Sequence, residues 1–93
     1  MTKRYEFSTV IQKVEGIDGA YIVFPYDLPK EFGKGRLKVK ATFDNVEYLG
    51  SIVNMGVKNP DGSIAYILGI RKDIRQKINK QAGDKVKVSI EEL

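Results

Sequence analysis

Apolar and polar side chains alternate with a period of two along several stretches of the chain. In residues 36–44, Leu37, Val39, Ala41 and Phe43 fall on one face and Arg36, Lys38, Lys40, Thr42 and Asp44 on the other. In residues 85–91, Val86, Val88 and Ile90 alternate with Lys85, Lys87, Ser89 and Glu91. Successive strand side chains point to opposite faces, so each stretch predicts a strand with one buried side. Residues 5–14 alternate less cleanly: Tyr5, Phe7, Thr9 and Ile11 share a face, while Val10 and Val14 interrupt the polar side. Residues 20–24 and 63–70 are apolar almost throughout, as in strands buried on both sides or closed into a barrel. Residues 46–55 predict a further strand, where Gly50 signals a bulge, a bend or the close approach of another backbone.

Two short helices fit between these strands. Asp27 is placed to cap the first, Pro29 suits its first turn, Leu28 and Phe32 lie four apart, and Gly33 supplies a left-handed stop. In the second, Ile70, Ile74 and Ile78 form a core-facing stripe, Asp73 is placed to cap with Gln76 three residues on, and Gly83 ends the segment. Turns are predicted at residues 15–19, at Asp44-Asn45, and at Asn59-Pro60-Asp61-Gly62 within the longest loop, residues 56–62.

The pattern is written twice. Ala20-Tyr21-Ile22-Val23 answers Ala65-Tyr66-Ile67-Leu68 at an offset of 45, and Lys38-Val39-Lys40 answers Lys85-Val86-Lys87 at 47. Glu6-Phe7 resembles Glu47-Tyr48, and Asp18-Gly19 resembles Asp61-Gly62. These matches predict two ββαβ units, residues 5–44 and 46–92. With 93 residues the chain has room for one domain, residues 1–93, so the two units must share one interior. The expected class is mainly β with two short helices, built from two ββαβ repeats around one shared core.

Composition narrows function mainly by exclusion. No run reaches the ~18 apolar residues of a membrane span, and Met1-Thr2-Lys3-Arg4 leads into a polar strand, so a cytoplasmic protein is expected. The chain has no cysteine and no histidine, which removes thiolate chemistry, the commonest general base near neutral pH and the commonest transition-metal ligand. Sixteen Lys and Arg against twelve Asp and Glu give a net charge of +4, a basic protein that favours anionic partners.

Phe32-Gly33-Lys34, residues 36–42, Tyr48-Leu49-Gly50-Ser51-Ile52, Met55-Gly56, and above all Gly69-Ile70-Arg71-Lys72-Asp73-Ile74-Arg75 with Gly83-Asp84-Lys85-Val86 resemble the signature of domain-of-unknown-function family nineteen-oh-five. Asn45-Val46 stands where that family usually shows Gly-Val, which predicts a less tight turn there. The resemblance implies a double-split β-barrel, capped at its two ends by helices and similar in plan to the swapped barrels of bacterial transition-state regulators and antitoxins; two chains build those barrels, and the internal repeat implies that here one chain supplies both halves, a single-chain monomer. It implies no biochemical activity.

Arg71, Lys72 and Arg75, with Arg36, form the candidate site for an anionic ligand or protein partner, set against a bracing role at the barrel mouth. Arg36, Lys38, Lys40, Lys85 and Lys87 form the alternative, a nucleic-acid surface by analogy with antitoxin-like relatives. A solvated strand face is favoured over it, because Asp44, Asp84, Glu91 and Glu92 break up the cations and no aromatic lies among them. Tyr5, Tyr21, Tyr26, Tyr48 and Tyr66 are read as barrel filling. No paired carboxylates, activated nucleophile, phosphate loop, metal set or cofactor motif is found, so a non-enzymatic binding or accessory module without cofactor is expected.

Overall fold

The computed structural model describes residues 4–14, 16 and 19–93. Seven strands and two helices follow in the order Arg4–Val10 (β1), Gln12–Lys13 (β2), Ala20–Phe24 (β3), Leu28–Phe32 (α1), Leu37–Phe43 (β4), Val46–Lys58 (β5), Ile64–Gly69 (β6), Lys72–Ile78 (α2) and Lys85–Glu92 (β7). The fold is mainly β with two short helices, as the alternation predicts.

All seven strands join one antiparallel sheet in the order β1-β7-β4-β5-β6-β3-β2. The two ends of that order are neighbours in the chain, since Ile11 alone separates β1 from β2. The sheet therefore curls into a barrel-like wall, with its first and last strands lying along one continuous segment. Ile11 anchors the change of partner: its N–H donates to the Asp84 carbonyl at 2.9 Å and its carbonyl accepts from the Gly83 N–H at 2.8 Å. The long strand β5 behaves alike. Its first part pairs with β4, from Phe43↔Val46 to Leu37↔Ile52, and its later part pairs with β6 from Ile52↔Leu68 onward.

The alternating positions define the interior. Leu37, Val39, Ala41 and Phe43 from β4, Val86, Val88 and Ile90 from β7, and Ile22 and Phe24 from β3 are all buried in one cluster with Ile11, Ile52 and Leu68. Leu28 of α1 and Ile74 of α2 enter the same cluster, with Phe32 and Ile78 packed beside it, so each helix contributes an i, i+4 pair. Among the described residues none of those classed as buried is polar or charged, so the core cluster itself is apolar.

Local chemistry agrees at several points and departs at others. Asp27 caps α1, accepting from the Lys30 N–H at 3.3 Å, and Gly33 closes it at φ 69°. Asp44 and Asn45 have φ of 48° and 74°, making the tight two-residue reversal that Asp44-Asn45 predicts and not the looser turn that the departure from the family's Gly-Val implied. Helix α2 begins two residues earlier than a cap at Asp73 would place it. Its N-cap residue is Arg71, without a side-chain capping bond, and Asp73 instead lies in the first turn with its carboxylate 3.3 Å from Arg71 Nε. Asn79, at φ 57°, stops α2, while Gly83 takes its positive φ in the following turn.

The expected 56–62 loop contracts because β5 runs to Lys58, leaving Asn59 to Ser63 as the connection; the irregularity lies between Asn54 and Lys58. Gly50 holds its register opposite Val39. What approaches it is side chain and not backbone: an added Cβ would sit 2.5 Å from Tyr48 Cε2 and 3.2 Å from Leu68 Cδ1. Of the turn expected at residues 15–19, Glu15, Ile17 and Asp18 lie outside the described residues, as does the Asp18 half of the Asp-Gly match.

One ion pair ties two connections together. Asp44 in the β4–β5 turn meets Lys80 Nζ at 2.5 Å and accepts the Lys87 N–H at 3.0 Å, while the same Lys80 donates to the Lys85 carbonyl at 2.6 Å. Partial burial pushes the Asp44 carboxyl up, but the bonds from Lys80 and Lys87 and their positive charges outweigh it, and the group ends below its ordinary value.

Two outcomes follow for stability. Ile74→Asp places a charge in the shared interior and is expected to cost at least about 3 kcal/mol, read as a fall in the urea midpoint; a parent-like midpoint would put Ile74 at the surface. Asp44→Asn keeps the left-handed turn but loses the charged pair, costing about 1 kcal/mol at pH 7. Because the folded carboxyl is depressed, that contribution is present above the unfolded value near pH ~4 and is lost as pH falls through the folded one. Denaturation curves of parent and variant should converge toward pH ~2.

Candidate functional site

The head of α2 follows directly from β6: Ile70 is buried, so Arg71 and Lys72 turn outward where the strand ends. Arg71, Lys72 and Arg75 all line one depression of about 290 Å³, walled by Tyr48 and by the facing ends of β3 and β6 at Ala20 and Gly69. Gly50 contributes indirectly, since its missing Cβ leaves room for the Tyr48 ring. Lys72 and Arg75 also line a second depression of about 440 Å³ on the far side of α2, with Asn79, Lys80 and Asp84. Three of the four predicted cations are thus gathered on one helix. Arg36 is not with them; it lines a separate hollow of about 350 Å³ with Lys34, Lys38 and Glu92.

The nucleic-acid set divides. β4 and β7 are antiparallel neighbours, so Lys40 faces Glu91, Thr42 faces Ser89, and Asp44 lies level with Lys87. Lys38 and Lys40 therefore sit at one end of this ladder and Lys85 and Lys87 at the other, with Lys40 and Lys87 separated by roughly 14 Å of strand. Between them Thr42 Oγ1 and Ser89 Oγ are 2.5 Å apart. Lys40 is 3.0 Å from Glu47, whose hydrogen bond and charge push the lysine up from its ordinary value. Across the sheet Arg4, Glu91 and Lys40 form one row and Glu6, Ser89, Thr42 and Glu47 another, an alternation of sign and not a basic stripe.

The carboxylates have structural partners. Asp61 accepts the Ser63 N–H at 3.0 Å and its hydroxyl at 2.6 Å, which hold the carboxyl below its ordinary value. Asp84 accepts the Gln81 N–H at 2.9 Å. Among the described residues no group of three or more His, Cys, Asp or Glu is placed to hold a metal ion, and no helix is long and apolar enough to cross a membrane.

A feature the sequence reading missed lies at the β3–α1 corner. Tyr5, Phe7, Phe24, Tyr26 and Phe32 form one aromatic cluster, with Tyr5 at 4.7 Å from Tyr26, 5.4 Å from Phe24 and 5.8 Å from Phe32 between ring centroids. The five tyrosines do not converge: Tyr5 and Tyr26 join this cluster, while the Tyr48 ring lies tilted 6.1 Å from Phe43. Tyr5 donates its hydroxyl to Glu31 of α1 at 2.5 Å. That bond, with burial and the Glu31 charge, pushes the phenol up to about 12. Beside the cluster a cleft of about 740 Å³ opens between the corner and the β5–β6 turn, lined by Thr9, Phe24, Tyr26, Asp27, Ser63 and Tyr66 among others. The signal available in sequence was the run Phe24-Pro25-Tyr26-Asp27, whose rings straddle a strand end.

The Tyr5 bond gives a test of how α1 is held. Tyr5→Phe is expected to cost about 1 kcal/mol at neutral pH. A phenol raised in the folded state contributes fully below its unfolded value near 10 and loses that contribution as pH rises toward about 12, so the cost should shrink across that window. In an alkaline absorbance titration the late-ionising phenol should vanish from the variant.

No curated protein matches the chain. A family model, Domain of unknown function (DUF1905), matches residues 7–90, a span running from β1 into β7 and containing both helices and all the candidate-site cations from Arg36 to Lys87. The chain belongs to that family of unknown function.

Proposed function

We propose that the chain is a non-enzymatic binding or accessory module, a monomeric double-split barrel of two ββαβ halves, that takes an anionic ligand or protein partner at the head of α2. The observation that carries the site is the gathering of Arg71, Lys72 and Arg75 around one depression. Cations clustered on a rigid element mark anion sites more often than scattered ones do.

Pairing registers support the two halves. Exchanging β1 with β5, β3 with β6, α1 with α2 and β4 with β7 leaves the neighbour order of the curled sheet unchanged. The pair Ala41↔Tyr48 becomes Val88↔Phe7, and that pair is present in register. Val23↔Ile67 exchanges with Ile22↔Leu68, and Thr42↔Ser89 exchanges with itself at an offset of 47. Leu28 and Phe32 correspond to Ile74 and Ile78, and the left-handed Gly33 to the left-handed Asn79. The two partner-switching residues, Ile11 and Ile52, correspond as well. Both halves draw on a single buried cluster, which supports closure within one chain.

Regulatory DNA binding has less support, because the β4–β7 cations are split between two ends and interleaved with carboxylates. Titration calorimetry with pyrophosphate and with a glutamate-rich peptide tests the primary reading. Binding that weakens by about tenfold in the Arg71→Ala, Lys72→Ala double variant, and is unchanged in Arg36→Ala, is expected. Binding indifferent to the double variant would remove the site. Duplex DNA over a salt series is the counter-experiment: salt-sensitive binding weakened by Lys38→Ala would put the alternative first.

A further inference from the structure

The cleft at the β3–α1 corner carries a chemistry opposite to that of the α2 depression. Its volume, about 740 Å³, lies in the range that holds small ligands. Phe24, Tyr26 and Tyr66 supply aromatic wall, and the one ionisable charge among its lining residues is the Asp27 carboxylate. Among the described residues that line it there is no Lys or Arg. Asp27 spends one oxygen on a long cap bond, Oδ1 to the Lys30 N–H at 3.3 Å. Tyr26 is backed by Tyr5 at 4.7 Å and by Phe24 at 5.3 Å, yet 41% of it remains exposed. The ring is therefore packed against aromatic neighbours and still partly open to solvent.

From these observations we infer that the cleft binds an organic cation, an alkylammonium or guanidinium group, with the charge between the Tyr26 ring and the Asp27 carboxylate and the alkyl part against Phe24 and Tyr66. An aromatic face attracts a cation through its quadrupole, and the attraction strengthens where water is displaced. A carboxylate beside the ring adds the countercharge. An anion would meet the same carboxylate with no compensating lysine or arginine in the lining, and a bare metal ion would find a single carboxylate where hard cations take six or more oxygens. An organic cation fits both the aromatic wall and the lone charge.

The test is an amide-resolved NMR titration of the whole chain with butylguanidinium chloride, set against sodium chloride and n-pentanol as charge and shape controls. Saturable shifts at Tyr26, Asp27, Ser63 and Tyr66 are expected, exceeding those of either control. Asp27→Asn keeps an equivalent helix cap, so its fold is preserved, and it should weaken binding by about fivefold or more. Tyr26→Leu should weaken it too, while Arg71→Ala should leave it unchanged, which separates this cleft from the α2 depression. Shifts no larger than with pentanol, or Asp27→Asn binding as tightly as the parent, would overturn the inference. An arginine-containing tripeptide in the same titration distinguishes a side chain borne on a partner, which should bind more tightly than butylguanidinium, from a free small cation, which should not.

Discussion

Everything in this structure depends on strands that change neighbours partway along. The N-terminal segment pairs with β7 as far as Val10, turns at Ile11, and then pairs with β3; β5 pairs with β4 as far as Ile52 and then with β6. A flat seven-stranded sheet would leave one of its apolar faces in water, whereas curling lets inward side chains from opposite walls meet. Isoleucine at both switch points is fully enclosed, Ile11 at 1% and Ile52 at 0% exposure, so the bends sit where burial holds them most firmly.

From that constraint the helices acquire their place. Each follows a strand that ends at the mouth of the curl, and each offers two side chains one turn apart to fill the opening: Leu28 with Phe32, Ile74 with Ile78. The remainder of each helix is left to face solvent, and there the two corners differ. One borders a cleft with Tyr26 and Asp27 and no Lys or Arg among its described lining residues; the other borders a depression lined by Arg71, Lys72 and Arg75. A shared scaffold with unlike corners is how small folds host unrelated recognition tasks.

Strand alternation was readable because it is local and periodic: Leu37, Val39, Ala41 and Phe43 announce a buried face whatever the topology, and all four are buried. Asp27 and Gly33 were readable because capping is a matter of a few adjacent residues. Asp73 misled because a first-turn carboxylate and an N-cap carboxylate look alike in sequence, and only the backbone of Arg71 distinguishes them. Grouping Arg36 with Arg71 failed because charge type carries no information about which end of a curled sheet a residue occupies. The aromatic corner escaped for the same reason. Tyr5 and Glu31 are 26 positions apart, and nothing in either neighbourhood foretells their bond.

A segment stitched to both margins of a sheet cannot peel away from one of them alone. Freeing the first strand breaks the seam with β7 and, through Ile11, the seam with β3, so the N-terminal segment opens only together with the wall that it closes. Its amides should exchange with solvent in step with those of β7 and β3, as one cooperative unit and not as a fraying end. Residues 4–13 act as the clasp of the curled wall.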